Sequence, residues 1–267
     1  MTKYKPKIET TEGIKKFQGL HPDILVSPIG EGFGCGAYSQ TLLVQNGGIA
    51  GKVVKGLTYC DNSIEDLFSL EKKYISFLGR IGINMPATEL VVEQNLFYLV
   101  QEFVPFQTAV SVLSSRNNDA SQDAFRRIAE KTLDAYQKMP CVEGENILGL
   151  DSRLENWCIG DDLIFIDLFP PLLNDKQGTF RRFFYSTDFE QEFTRRPKKS
   201  FLRNRIKALT RLYLEANAVT EGLDETLRMI VGDYLNTQEM RSFERLIKNE
   251  RAHKEIIIPP GYKNGGT

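Results

Sequence analysis

The stretch Ile147–Pro170, ILGLDSRLENWCIGDDLIFIDLFP, constrains the chain more than any other part of its sequence. It places Asp151, Arg153 and Asn156 on one short loop, and a hairpin-like segment after them ends in a second acid, Asp167. Phosphoryl transfer needs such a set: a carboxylate to orient or deprotonate an acceptor hydroxyl, a cation near the moving phosphoryl group, and hard oxygen ligands for magnesium. The alternative is a polar loop that simply precedes a buried strand.

Composition argues against several other classes of protein. The 267 residues suffice for one large or two modest domains, and 41% apolar with 26% charged residues is typical of a soluble globular protein. A formal charge of −1 gives no reason to expect nucleic-acid or membrane binding. His21 and His253, the only histidines, lie at opposite ends of the chain, which argues against histidine triads and zinc hydrolases. Scattered cysteines and a start without an apolar signal segment indicate a cytoplasmic protein.

A glycine-rich segment joins the first two predicted strands. An apolar strand at 24–29 runs into GEGFGCGAYSQ, with Gly30, Gly32 and Gly34, and the apolar TLLV follows. Glycines let backbone N–H groups approach phosphates closely, so strand, turn and returning strand predict a phosphate-covering hairpin. The segment is not a Walker A loop, because no G-K-[ST] closes it, and no helix follows as in a Rossmann turn.

The next two segments carry charged residues in an apolar context. An Asn-Gly-Gly turn at 46–48 leads into IAGKVVKGL, where Lys52 and Lys55 lie on opposite faces of a predicted strand. We favour Lys52 as the functional lysine, although a bulge would exchange the two. The segment SIEDLFSLEKKYISFLGRIG then predicts an amphipathic helix with Glu71 in its middle and Glu65 as an alternative.

A predicted hairpin, TELVVEQNLFYLV, ends in Q-E-F-V-P, which contains Glu102 and Val104. Beyond it the pattern changes from strands to helices. A helix is predicted in DASQDAFRRIAEKTLDAYQKM ahead of the Asp151 loop, and three more are predicted towards the end of the chain.

Taken in order, these segments resemble the protein-kinase-like superfamily. Asp151 to Asn156 reads as its catalytic loop D-x-[KR]-x-x-N, and Asp167 stands at the acid of D-F-G, although the next residues are Leu and Phe. The glycine segment resembles I-G-x-G-x-F-G-x-x-Y with its glycines out of step. The G-I-x-x-P after the Glu71 helix, with its hairpin and Q-E-F-V-P, is similar to aminoglycoside-phosphotransferase-like small-molecule kinases. One departure is Gly149, which stands where the family has a structural His.

The resemblance implies a two-lobed α+β fold. Residues 1–23 would be an N-terminal extension, 24–104 an antiparallel-sheet N-lobe, and 105–267 a mainly helical C-lobe that contains the catalytic loop and the metal-binding strand. ATP and magnesium would lie between the lobes, with Asp151 as the acceptor of the hydroxyl proton and Arg153 as the cation. Asn156 and Asp167 would hold the metal. The resemblance assigns the nucleotide to Gly30, Gly32, Gly34, Lys52 or Lys55, Glu71, and the backbone of Glu102 and Val104.

We therefore expect an ATP- and Mg²⁺-dependent kinase that acts on the hydroxyl of a small molecule, such as an antibiotic, a sugar or a metabolite. The absence of an A-P-E sequence after Asp167 favours this over a protein Ser/Thr kinase. A nucleotide-binding pseudokinase or scaffold is the third candidate, favoured by Gly149. ATP and GTP both remain candidates for the nucleotide, and the sequence indicates no oligomeric state.

Overall fold

The computed structural model describes residues 39–44, 49–54, 64–93, 96–102, 104–115, 117–142, 145–146, 148–168, 171–173, 204–220 and 222–253. The contacts divide the chain into two compact units, Met1–Pro105 with Ile164–Pro197, and Phe106–Leu163 with Lys198–Thr267. The stretch 164–197, which the sequence placed in the C-lobe, thus groups with the first unit. The predicted extension at 1–23 lies outside the described residues.

An antiparallel sheet dominates the described part of the first unit. Its strands are β1 (Ser39–Val44), β2 (Ile49–Val54), β3 (Thr88–Glu93) and β4 (Leu96–Glu102), in the order β1-β2-β4-β3. In the register of β2 with β4, Lys52 stands opposite Leu99, which is fully buried. The predicted antiparallel sheet and its β3–β4 hairpin are confirmed.

Helix α1 (Ile64–Arg80) lies between β2 and β3 in the chain and packs on β3. Glu71, Tyr74 and Leu78 are all 0% exposed, at the spacing of three and four residues that lines one face of a helix. This confirms the predicted amphipathic helix and puts Glu71 on its buried face.

Backbone hydrogen bonds fix the segment from Gly82 to Asn84, which follows α1. Gly82 has a φ of 82°, and the N–H of Ile83 bonds the Leu78 carbonyl at 3.0 Å, which together make a glycine cap of the Schellman type. Further on, the N–H of Phe165 bonds the Asn84 carbonyl at 2.9 Å. This bond joins the strand before Asp167 to the segment after α1.

Helices make up most of the described second unit. The elements from here to the end of the chain are β5 (Gln107–Thr108), α2 (Ala109–Leu113), α3 (Asn118–Lys138), β6 (Cys141–Val142), β7 (Glu145–Asn146), β8 (Trp157–Ile159), β9 (Leu163–Phe165), α4 (Arg205–Val219), α5 (Asp224–Gly232) and α6 (Thr237–His253). Of β9, only Leu163 belongs to the second unit. Strands β5, β8 and β9 form a small sheet in that order.

The core of this unit forms where α4 packs against α3, α5 and α6. Phe125 and Ile128 of α3 and Tyr213 of α4 are fully buried, and the rings of Tyr213 and Phe243 meet edge to face at 5.3 Å. The four helices predicted for this region are confirmed, and the α+β fold class is as predicted. None of the helices described is long and apolar enough to cross a membrane.

Candidate functional site

The loop that carries Asp151 is held between buried apolar side chains. Leu150, Leu154 and Trp157 are all 0% exposed. The indole N–H of Trp157 donates to the Ser152 carbonyl at 3.2 Å, so this buried ring has its polar partner within the loop. The polar residues between these positions therefore stand on a fixed backbone.

Asn156 closes the loop. Its Nδ2 donates to the Asp151 carbonyl at 2.9 Å, and its backbone N–H donates to the Arg153 carbonyl at 3.0 Å, which forms the 3-10 turn Leu154–Asn156. Because Nδ2 is engaged with the backbone, the Oδ1 atom is the side of the amide that could serve as an oxygen ligand.

Asp151 and Arg153 lie against each other on this turn. The Arg153 Nε is 3.1 Å from each carboxylate oxygen of Asp151, and its Nη1 is 2.5 Å from Oε1 of Glu155. The side chains of Arg153 and Asp151 are 35% and 22% exposed, so both reach solvent. The structure thus brings together the predicted acid, cation and amide.

A buried glutamate of α4 supports the loop from within the unit. Oε2 of Glu215 accepts the N–H of Leu154 at 3.0 Å, and Oε1 accepts Nε–H of Arg211 at 2.7 Å. Burial raises the pKa of Glu215, while Arg211, the Leu154 N–H and the charge of Arg153 act in the opposite direction. The sequence analysis did not identify Glu215, whose only signal was a charged residue within an apolar helical stripe.

Tyr136 of α3 supports the other end of the loop. Its hydroxyl donates to the Leu150 carbonyl at 3.4 Å, directly before Asp151, and burial raises the pKa of this phenol, with the charge of Asp151 adding to the effect. Gly149, in place of the family's His, is buried here. Tyr136, Trp157 and Glu215 therefore fix the backbone without a histidine.

The β8–β9 turn is held by α3. Nη2 of Arg127 donates to the carbonyls of Gly160 and Asp161 at 2.8 and 2.9 Å. A Cβ on Gly160 would lie 2.8 Å from the ring of Phe106, so only glycine fits without a shift of that ring.

The remaining described candidates belong to the first unit. Lys52 lies in the middle of β2, between Thr41 of β1 and Leu99 of β4. Glu71 is fully buried on α1, as a glutamate that serves a buried cation would be. Lys55, Gly30, Gly32 and Gly34 lie outside the described residues, so these predictions stay as they were.

The end of β4 carries the predicted hinge. Glu102 and Val104 are each 8% exposed, and the Glu102 N–H donates to the Ala87 carbonyl at 2.9 Å. This N–H is therefore already engaged within the first unit.

The metal ligands that the sequence predicts, Asn156 and Asp167, belong to different units. Asp167 is half-buried. Within the described ranges no group of three or more His, Cys, Asp or Glu side chains could hold a metal. Each of the two side chains carries an oxygen donor of the kind that magnesium prefers.

Two solved structures to which the chain is similar are kinase-type domains. The chain is similar to the pseudokinase domain of BIR2, an immune regulator of the RLK/Pelle family, at 15% identity over 82% of this chain and 62% of that one, with a TM-score of 0.37. It is also similar to the Mycobacterium tuberculosis PknI kinase domain, at 13% identity over 81% and 92% of the two chains, with a TM-score of 0.40. At such scores neither likeness supports a functional argument.

No curated protein matches the sequence. A protein family does: residues 32–228 match DUF6206, a family of unknown function. This match covers well over half of the chain and includes the Asp151 loop, Asp167 and Glu215. The protein therefore belongs to the DUF6206 family.

Proposed function

We propose that the protein is an ATP- and Mg²⁺-dependent phosphotransferase that acts on the hydroxyl group of a small molecule. The observation that carries the proposal is the turn from Asp151 to Asn156, where an acid, a guanidinium and an amide are held together by hydrogen bonds of 2.9 to 3.1 Å. The backbone of this turn is buried and fixed, while Asp151 and Arg153 reach solvent. A fixed acid that a substrate can reach is what catalysis by positioning requires.

In this proposal Asp151 receives the acceptor hydroxyl. A carboxylate oxygen accepts the O–H group and takes its proton as the hydroxyl oxygen bonds the γ-phosphorus. The bond from that phosphorus to the β,γ-bridging oxygen breaks, and ADP leaves with the electron pair. Arg153, two residues after Asp151 in the sequence, stabilises the negative charge on the moving phosphoryl group.

The nucleotide contacts in the proposal come from the first unit. Lys52 binds the α- and β-phosphates and Glu71 fixes that lysine, while Gly30, Gly32 and Gly34 cover the phosphates. The base lies on the Glu102 carbonyl and the Val104 backbone. Asn156 and Asp167 would hold magnesium, which would supply positive charge to the phosphates. A small-molecule acceptor is favoured over a protein by the absence of A-P-E after Asp167.

A nucleotide-binding pseudokinase is the second candidate, and one observation favours it. Both carboxylate oxygens of Asp151 already accept a hydrogen bond from Arg153, so the acceptor hydroxyl must share them. The two candidates differ in turnover and agree in nucleotide binding.

The experiment compares the wild-type protein with Asp151→Asn, Asp167→Asn and, as a control, Asp161→Asn, an exposed carboxylate on the β8–β9 turn. Thermal stabilisation by ATP is measured with and without Mg²⁺, together with ADP release in the presence of a panel of sugars, aminoglycosides and metabolites. We expect stabilisation that is lost in Asp167→Asn, and ADP release that is lost in Asp151→Asn and kept in Asp161→Asn. Stabilisation without ADP release would favour the pseudokinase, and no stabilisation by any nucleotide would contradict both candidates.

A further inference from the structure

The Asp151 loop is tied to two different helices, one on each side of its acid. Before the acid, Tyr136 of α3 donates to the Leu150 carbonyl at 3.4 Å. After it, Glu215 of α4 accepts the Leu154 N–H at 3.0 Å. The backbone of Asp151 and Arg153 is therefore held between two contacts that come from residues distant in sequence.

The contact at Leu154 differs in kind from the one at Leu150, because its acceptor is a carboxylate. Glu215 is 8% exposed and Leu154 is 0% exposed, so the bond is removed from water. A hydrogen bond to a charged acceptor is shorter and stronger than one between neutral groups. A buried carboxylate is nevertheless costly, and an amide or hydroxyl would support a loop at lower cost.

Arg211 offsets part of the cost of burying the Glu215 carboxylate, because its positive charge favours the ionised form. Its Nε lies 2.7 Å from Oε1 of Glu215, one helical turn away, so one oxygen serves the arginine and the other serves the loop. Arg211 holds the carboxylate in place through Oε1, and this leaves Oε2 to accept the Leu154 N–H. The positive charge of Arg153 also acts on Glu215.

We propose that Glu215, held by Arg211, is a positioning residue that sets the orientation of Asp151 and Arg153 through the N–H of Leu154. Its effect on turnover rests on the proposed phosphotransferase function. Its effect on the loop backbone does not, and the two are measured separately.

The first measurement is hydrogen–deuterium exchange of the Leu154 amide, followed in protein that carries isotope-labelled leucine. It needs no substrate. In Glu215→Gln the charge is lost while the size is kept, and we expect exchange at Leu154 to become about tenfold faster, the equivalent of one weakened hydrogen bond. The control is Asp134→Asn, which breaks an exposed i,i+4 pair with Lys138 on α3 and should leave Leu154 unchanged. Unchanged exchange in Glu215→Gln would overturn the proposal.

The second measurement is steady-state turnover with ATP and the acceptor found by the panel above. Displacement of a catalytic acid by a fraction of an ångström lowers kcat, so we expect kcat to fall about 10- to 100-fold. The KM for ATP should stay within about threefold, because the nucleotide contacts lie elsewhere. If kcat/KM fell only because KM rose, with kcat unchanged, the result would count against a positioning role.

A double variant separates positioning from general destabilisation. Arg211→Met with Glu215→Met removes both charges of the ion pair and keeps side chains of similar length, so no charge is left unpaired. The Leu154 N–H loses its acceptor, at a cost in stability. We expect this variant to unfold cooperatively and, at a temperature where it is fully folded, to show fast Leu154 exchange and low kcat. A double variant with wild-type exchange and turnover would overturn the proposal. If the wild-type protein turns over no acceptor, the exchange result still decides whether Glu215 holds the loop.

Discussion

Nε of Arg153 lies 3.1 Å from both carboxylate oxygens of Asp151, its neighbour two residues earlier on the same turn. The contact fixes the plane of the carboxylate relative to the guanidinium. Each carboxylate oxygen has lone pairs to spare, so Asp151 can accept an additional hydrogen bond from a hydroxyl. The acid and the cation of the proposed reaction therefore form a hydrogen-bonded pair rather than two independent side chains.

Arg153→Lys should lower kcat by about 10- to 100-fold. A lysine keeps the charge but has no planar fork that could hold both oxygens of Asp151 and also reach Glu155. Loss of one preorganised charge partner in an active site typically costs this much or more. Turnover of ATP with the acceptor measures the effect. Arg245→Lys, an exposed arginine of α6, serves as the control, and equal activity of the two variants would contradict the assignment of Arg153.

The contribution of Glu215 to stability should decrease as the pH rises. Burial raises its pKa above the ordinary value of 4.5, so between 4.5 and the higher value the folded protein binds more protons than the unfolded one. Stability from this group is full below 4.5 and is lost as the pH passes through the folded-state pKa. Urea unfolding is measured for wild type and Glu215→Gln from pH 4 to 8. The free energy of unfolding of the wild type should fall, relative to that of the variant, as the pH rises. Parallel curves would show that the pKa is not raised.

Gly160→Ala should destabilise the protein by about 0.5–1 kcal/mol, because the new Cβ forces the ring of Phe106, which is 37% exposed, out of its position. The three nearest ring atoms are only 2.8 to 3.0 Å from the position of that Cβ. Gly232→Ala is the matched control: its Cβ would meet nothing within 4 Å, and in a helix alanine is preferred by up to about 1 kcal/mol. Chemical unfolding of both variants tests this, and a Gly160→Ala variant as stable as wild type would contradict it.

Cys158 should react slowly with alkylating agents. It is 3% exposed, and burial raises the pKa of its thiol from 9.0 to about 11. At pH 8 the thiolate fraction is then about 100-fold below that of a free thiol, before any steric protection is counted. Iodoacetamide labelling followed by mass spectrometry measures the rate at this residue. Fast labelling of the folded protein, equal to that in denaturant, would contradict the burial of Cys158.

The helices and strands followed from local sequence because their signals are local. The apolar spacing of α1 and α3 predicted both helices, and Gly82 marked the end of α1 through a backbone conformation that favours glycine. The grouping of Asp167 with the first unit was not predictable in this way. It is accompanied by the bond from Phe165 to Asn84, and nothing in either segment alone indicates its partner.

The same limit applies to the candidate site. Asp151, Arg153 and Asn156 are close in sequence, so their spacing alone indicated that they share one turn. Glu215 is 61 positions away from the Leu154 that it contacts, and its only local signal is a charged residue within an apolar helical stripe, which does not indicate a partner. Supports that come from distant elements become visible only when the chain is folded, although they decide how well the local motif is held.

The first unit is built from two stretches of chain, with the whole of Phe106–Leu163 synthesised between them. On the ribosome, its sheet and α1 emerge early, but Phe165 reaches the Asn84 carbonyl only after that intervening stretch has been made. The second unit must likewise wait for α4, since Glu215 is needed at Leu154. Domains usually fold as units in the order of their synthesis. Here each unit draws on two separate stretches of the chain, so neither can be completed before its later stretch has been synthesised.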